Sequence, residues 1–174
     1  MPVCPNRRAA CREKAMENPA ERRGAILESW LARTLASYPS QTSRFWRHEK
    51  DRFRNPVGHT LREGLAAILD EIAGEMDTAK IRPALEGIVR LRAVQDFTAG
   101  QATGFVFLLR EILYEELEGG GPPAWQKRID ETALLAFDLF MRCREEIYEI
   151  KAREAQRGVY VWERMGHRTQ GDGA

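Results

Sequence analysis

Apolar residues return every three or four positions along most of this chain, the spacing that lines one face of an α-helix. No segment alternates polar and apolar residues as a half-buried strand does, so the pattern predicts an all-α fold. A first helix is predicted from Ala20 to Tyr38, with Ile26, Leu27, Trp30, Leu31, Thr34 and Leu35 on one face and Pro39 ending it. A short second helix over Ser40 to Phe53 carries Phe45, Trp46 and Phe53. It ends at Asn55-Pro56, because the residue before a proline resists the helical region. A third, from Pro56 to Met76, presents Val57, Leu61, Leu65, Ile68, Leu69 and Ile72. Asp77 or Thr78 caps a fourth, which carries Ile81, Leu85, Ile88, Val89 and Val94, tolerates Pro83 in its first turns and closes near Phe97.

Thr98 with Gln101 has the capping-box pattern, so a fifth helix is expected from Ala99 to Glu118, with Phe105 to Leu109 marking it as the most buried. Gly119, Gly120, Gly121, Pro122 and Pro123 form the clearest break in the chain. A long final helix then runs from Ala124 to Gln156. Within it Ala136, Phe140, Cys143, Ile147 and Ile150 alternate spacings of four and three, a coiled-coil seam that predicts self-association, with Phe140, Cys143, Ile147 and Ile150 as the homodimer seam. The architecture expected is an irregular bundle of about six helices with a long C-terminal one. Residues 1–19 read as a flexible tail, 20–157 as one helical domain and 158–174 as a largely disordered tail.

Composition narrows the partners. At 43% hydrophobic, 174 residues suffice for one core. Lys and Arg number 27 against 26 Asp and Glu, so no long-range field draws nucleic acid or an anionic membrane to the chain. The first twenty residues lack the apolar run of a secretory signal, and the longest apolar run, Phe105 to Leu109, is far short of the roughly 18 residues of a membrane span. No integral membrane segment is expected. Cys4, Cys11 and Cys143 fit neither a disulfide framework nor a zinc or CxxC spacing and read as reduced thiols in a cytoplasm.

Candidate chemistry is sparse. His48, His59 and His167 occur singly, without HExxH or the Glu-x-x-His pair of di-iron bundles, so neither a metal nor a cofactor is expected. A lone His59 could ligate haem, but a polar surface or half-buried role is commoner. An enzyme or cofactor carrier would need convergent Glu, His or Cys, which this spacing does not supply, so no catalysis is expected. The stretch from Arg44 to Arg54 interleaves Arg44, Arg47, Lys50, Arg52 and Arg54 with Phe45, Trp46 and Phe53, as nucleic-acid surfaces do. It also holds Glu49 and Asp51, and the aromatics are expected to turn inward and the charges outward; no specific nucleic-acid partner follows. Gly100 and Gly104 could admit a neighbouring helix, and Arg92 and Asp96 could form a local i,i+4 ion pair.

Trp30, Tyr38-Pro39, the run Phe53-Arg54-Asn55-Pro56-Val57-Gly58, and above all Ile88 to Phe97 (Ile-Val-Arg-Leu-Arg-Ala-Val-Gln-Asp-Phe) with Gln101-Ala102 after it form a pattern over about half the chain. In these residues the sequence resembles the RsbRD-type N-terminal domain, the sensory part of RsbT co-antagonist proteins in bacterial stress signalling. The resemblance implies a globin-like helical sensor without haem that dimerises and signals along its terminal helix to an output domain. It makes Arg92, Gln95 and Asp96 candidates for ligand contact or for fixing the turn between the fourth and fifth helices, with packing or capping favoured. The chain leaves no room for the output domain, so a protein partner in trans is expected to supply the output. Stand-alone relatives of this kind also suggest an alternative, a small-molecule or haem-binding carrier beside anaerobic respiratory machinery.

Overall fold

Helix starts are set by side chains that accept from the unpaired N–H groups of a first turn. A computed structural model describes residues 19–38, 46, 51–95 and 97–169. Among these there are six α-helices and no strand: α1 (Pro19–Ala36), α2 (Pro56–Ala73), α3 (Thr78–Val94), α4 (Ala99–Thr103), α5 (Phe105–Glu116) and α6 (Pro123–Thr169), with a 3-10 turn at Glu118–Gly120. Most of the short helix expected over Ser40 to Phe53 lies outside the described residues.

Asn55 opens α2 by accepting from the Gly58 N–H at 2.8 Å, while its Nδ2 donates to the Trp46 carbonyl at 2.8 Å. A Cβ at Gly58 would stand 2.3 Å from the Asn55 Nδ2 and 2.7 Å from the Trp46 carbonyl oxygen, so only glycine fits under this cap. Asp77 caps α3 by accepting from Ala79 N at 2.9 Å, and Pro83 sits early enough in that helix to be tolerated. The Thr98–Gln101 capping box forms as expected: Gln101 N donates to Thr98 Oγ1 at 3.3 Å and Thr98 N to Gln101 Oε1 at 3.1 Å. The glycine break turns the chain with all three glycines at positive φ, 68°, 77° and 81°.

Three expectations change. The fifth helix is two, α4 and α5, divided at Gly104, where Phe107 N donates to the Gly104 carbonyl in a tightened i,i+3 bond of 3.1 Å. A Cβ at Gly104 would meet the Gly100 carbonyl oxygen at 2.7 Å, and one at Gly100 would meet nothing within 4 Å, so neither glycine admits a neighbouring helix. That role belongs to Gly64 of α2, whose Cβ would lie 2.9 Å from Ile88 Cδ1 and 3.2 Å from the Ala84 carbonyl oxygen of α3. The last helix passes Gln156 and Gly158 and continues to Thr169. A single glycine costs a helix only about 1 kcal/mol relative to alanine, and Gly158 does not take the left-handed turn by which a glycine commonly ends one.

The helices close on one core. Trp30, Leu31 and Leu35 of α1, Leu61, Leu65, Ile68 and Ile72 of α2, Ile81, Leu85 and Ile88 of α3, Phe105, Leu109 and Ile112 of α5, and Ile129, Ala136 and Phe140 of α6 are all buried in it. α3 packs against both α2 and α6, and α1 against α2 and α5. Phe107 of the Phe105–Leu109 run faces outward, beneath the Arg110 guanidinium, so the run is wider than the buried face of its helix. Exposed ion pairs clasp the rim: Arg23–Asp70 at 2.6 Å, Arg62–Glu28, Arg33–Glu115 and Arg110–Asp130. Each such pair contributes about 0–1 kcal/mol. Arginines also cover helix ends, Arg128 donating to the Ile72 carbonyl at 2.7 Å and Arg144 to the Ala93 carbonyl at 3.0 Å, where the helix dipoles are negative.

Candidate functional site

The spacing Ile81, Leu85, Ile88 places one more apolar residue four positions on, and that position holds Arg92. Its side chain is 1% exposed. Nη1 donates to the Gln101 carbonyl at 2.8 Å; Nη2 donates to the Thr34 carbonyl at 3.3 Å and to Ser37 Oγ at 3.1 Å. The Ser37 hydroxyl in turn donates to the Thr34 carbonyl at 2.7 Å. One guanidinium thus ties the end of α1 to the start of α4 from the last turn of α3.

Aromatic rings surround the same cation. Its central carbon lies 5.2 Å from the ring centroid of Tyr38, 5.2 Å from that of Phe97 and 5.0 Å from that of Phe105, inside the range of cation–π attraction. Trp30 stacks on Phe105 with centroids 6.3 Å apart, and its indole N–H donates to the Phe105 carbonyl at 2.7 Å. Trp46 meets Tyr38 edge-on at 5.0 Å. Among the described residues no carboxylate pairs with Arg92, and burial lowers its pKa from the ordinary arginine value, opposed by the charge and the hydrogen bond of Tyr38. Burial likewise raises the Tyr38 phenol, with Arg92 opposing.

Thr34 Oγ1 is buried in this corner without a hydrogen-bond partner among the described residues, while the buried Tyr38 hydroxyl lies against the Arg92 guanidinium. Of the residues expected to form a ligand or structural corner, Arg92 faces the interior. Gln95 is exposed at the end of α3, its N–H donating to the Arg92 carbonyl at 3.2 Å, and Asp96 lies outside the described residues. The residues that complete the corner, Thr34, Ser37, Tyr38, Phe97 and Phe105, come from three other stretches of chain. Only the break in the apolar rhythm at position 92 marks the site in the sequence.

The seam residues of α6 are divided. Phe140 and Cys143 are buried in the protomer's own core, Ile147 packs half-buried against it, and Ile150 is exposed. Burial also raises the Cys143 thiol pKa, with Arg90 opposing. Beside that line runs an outward one, Leu134 at 68% exposure, Phe137, Met141 and Tyr148 at 58%, spaced three, four and seven. Phe107 and Tyr114, seven apart on α5, are exposed as well.

The other candidates hold no constellation. His59 Nε2 pairs with Glu63 at 3.0 Å on the outer side of α2. Among the described residues no three His, Cys, Asp or Glu side chains gather to hold a metal, and no helix is long and apolar enough to cross a membrane. Phe53, expected to turn inward, is 87% exposed with Arg52 over its ring, because it falls in a turn whose N–H bonds to Asp51 Oδ1 at 2.8 Å rather than on a helix face. Trp46 is half-buried, and the basic residues from Arg44 to Lys50 lie outside the described residues.

Residues 24–155 match the sequence model of the family described as the RsbT co-antagonist protein rsbRD N-terminal domain. An uncharacterized protein of Archaeoglobus fulgidus is 26% identical over 139 residues, covering 77% of this chain and 85% of its own length. No solved structure matches.

Proposed function

Because the chain belongs to the RsbT co-antagonist protein rsbRD N-terminal domain family, we propose that it is a non-catalytic sensor or adaptor domain that works by protein–protein contact in the cytoplasm. In this reading it forms a homodimer along α6 and passes its state to an output protein in trans. The observation that carries the reading is the outward line Leu134, Phe137, Met141 and Tyr148 on a helix whose inward line is already occupied by the core. Large apolar side chains repeating at heptad spacing on an exposed helix face are what a second helix covers. The self-association expected of Phe140 and Cys143 therefore passes to their neighbours one register over. The inward line joins the same helix to the Arg92 corner's own elements, since α6 packs on α3 and α4.

Sedimentation equilibrium tests this. The wild-type chain should be a dimer at micromolar concentration, and the double substitution Phe137→Glu with Met141→Glu should give a folded monomer with an unchanged helical circular dichroism spectrum. A wild-type protein that stays monomeric at high concentration, or a double variant that stays dimeric, would sink the proposal.

A further inference from the structure

We propose that the exposed end of α6 pairs with the same stretch of a second copy of this chain, as a parallel, in-register two-stranded coil whose core positions are Tyr148, Ala152, Ala155, Val159 and Trp162. The proposal rests on the α6 homodimer put forward above and extends it down the projecting helix. Along α6 an apolar residue stands at every seventh position, Leu134, Met141, Tyr148, Ala155 and Trp162. A straight helix drifts by about 20° per heptad against such a repeat, so a line kept apolar over this length suits a partner helix that supercoils with it. The positions between change character along the line. Asp138 and Glu145 interrupt it above Tyr148, whereas Ala152 and Val159 complete it below, with spacings of four and three. Tyr148, Ala152 and Ala155 are exposed, and no side chain described past Ile147 is buried in the protomer's own core.

Size and charge identify the occupant as a second copy and fix its direction. In a parallel pair Ala152 and Ala155 each meet their own counterpart, so small faces small in two successive layers and the helices approach closely. Beside those layers Arg144 stands opposite Glu149 of the second copy and Lys151 opposite Gln156, and no like charges meet. An antiparallel pair centred on Ala155 would instead set Glu149 against Glu163. Like charges also mark where the close pairing begins: further up, Asp138 and Glu145 would each face themselves, and the bulk of Phe137 and Met141 holds the two helices apart. The helix itself calls for a cover. Gly158, Val159 and Val161 are weak helix formers, and a helix with no packed face is marginal in water, yet α6 runs on to Thr169. A seam this short would not join two free helices. With their roots already held together at Phe137 and Met141, the pairing becomes intramolecular and gains from a high effective concentration.

Disulfide cross-linking of the full chain reads the pairing and its direction. In a Cys4→Ser, Cys11→Ser background that keeps the buried Cys143, Ala152→Cys should close into a covalent dimer under oxidised glutathione, because a parallel seam brings the two copies of position 152 within disulfide reach. Arg153→Cys, one step around the helix and off the seam, should stay mostly uncross-linked. Both positions are exposed, so both variants should keep the wild-type helical circular dichroism spectrum. When Ala152→Cys chains are mixed with Val159→Cys chains, a parallel seam gives no mixed product, since these positions lie about 10 Å apart along the axis. Equal cross-linking at positions 152 and 153, or a product joining 152 to 159, would overturn the parallel seam. A wild-type chain that sediments as a dimer while Ala152→Cys fails to cross-link would also overturn it, and would leave the α6 homodimer standing. A monomeric wild type would overturn both, so the two failures are told apart.

Discussion

Trp30 and Arg92 both lean on the Phe105 ring, and each is anchored by a bond that few other side chains could make. Replacing Trp30 by Phe removes the donor to the Phe105 carbonyl and leaves a void in a fully buried position, for a combined loss of about 2–4 kcal/mol. Urea unfolding would read it as a lower midpoint at constant slope. Arg92→Lys should cost nearly as much as Arg92→Met, about 1–3 kcal/mol, because an ammonium cannot reach Gln101, Thr34 and Ser37 at once as the planar fork does. Full stability in Arg92→Lys would show that charge alone, and not the fork, holds the corner. The Tyr38 phenol, raised by burial, gives a pH-dependent contribution of known sign. The unfolded chain loses this proton first, at the ordinary phenol value near 10, so the contribution is complete below that pH and falls away as pH climbs toward the raised value. Between pH 8 and 11 the wild type should therefore lose stability faster than Tyr38→Phe. At Cys143 the same burial predicts a sluggish thiol: in a Cys4→Ser, Cys11→Ser background, alkylation at pH 8 should run about tenfold slower than for free cysteine.

Among the elements, two glycines act in opposite ways. Gly24 sits within α1 with nothing within 4 Å of its missing Cβ, so Gly24→Ala should stabilise by about 0.5–1 kcal/mol through helix propensity. Gly64→Ala would drive a methyl to 2.9 Å from Ile88 and 3.2 Å from the Ala84 carbonyl oxygen, and since backbone cannot step aside it should destabilise by about 1–3 kcal/mol. Paired thermal melts should move in opposite directions. Helix boundaries governed by local chemistry, the Asp77 cap and the Thr98–Gln101 box, could be read from neighbouring residues because their partners lie within a turn. The division at Gly104 and the close approach at Gly64 could not. The first turns on a backbone bond geometry that Gly104 shares with many tolerated helical glycines. The second depends on which helix lands opposite, which no spacing within α2 records.

For the molecule as a whole, the class of fold follows from periodicity, while the site follows from assembly. The rhythm of α3 shows that position 92 faces inward, yet Thr34 and Phe105 join it only when α1 and α5 are laid against each other. The same limit applies to the seam of α6. Spacing picks out the line of Phe140 and Cys143 but not the direction it faces, and only packing assigns Phe140 and Cys143 inward and Phe137 and Met141 outward. If the proposed dimer forms, Tm should rise with protein concentration in the wild type and become independent of it in the Phe137→Glu, Met141→Glu variant, as mass action requires. A concentration-independent wild-type Tm would speak against a dimer coupled to folding.

The last helix also sets a mechanical scale. Past Ile147 every side chain described on α6 is exposed, while the helix continues to Thr169, a projecting rod of about 33 Å at 1.5 Å per residue. With its root held against α3 and α4, a tilt of about 10° at the base, the kind of small shift that packed helices undergo, would carry the tip through roughly 6 Å. Such leverage would turn a small tilt at the root into a displacement that a protein seated on the far end could register.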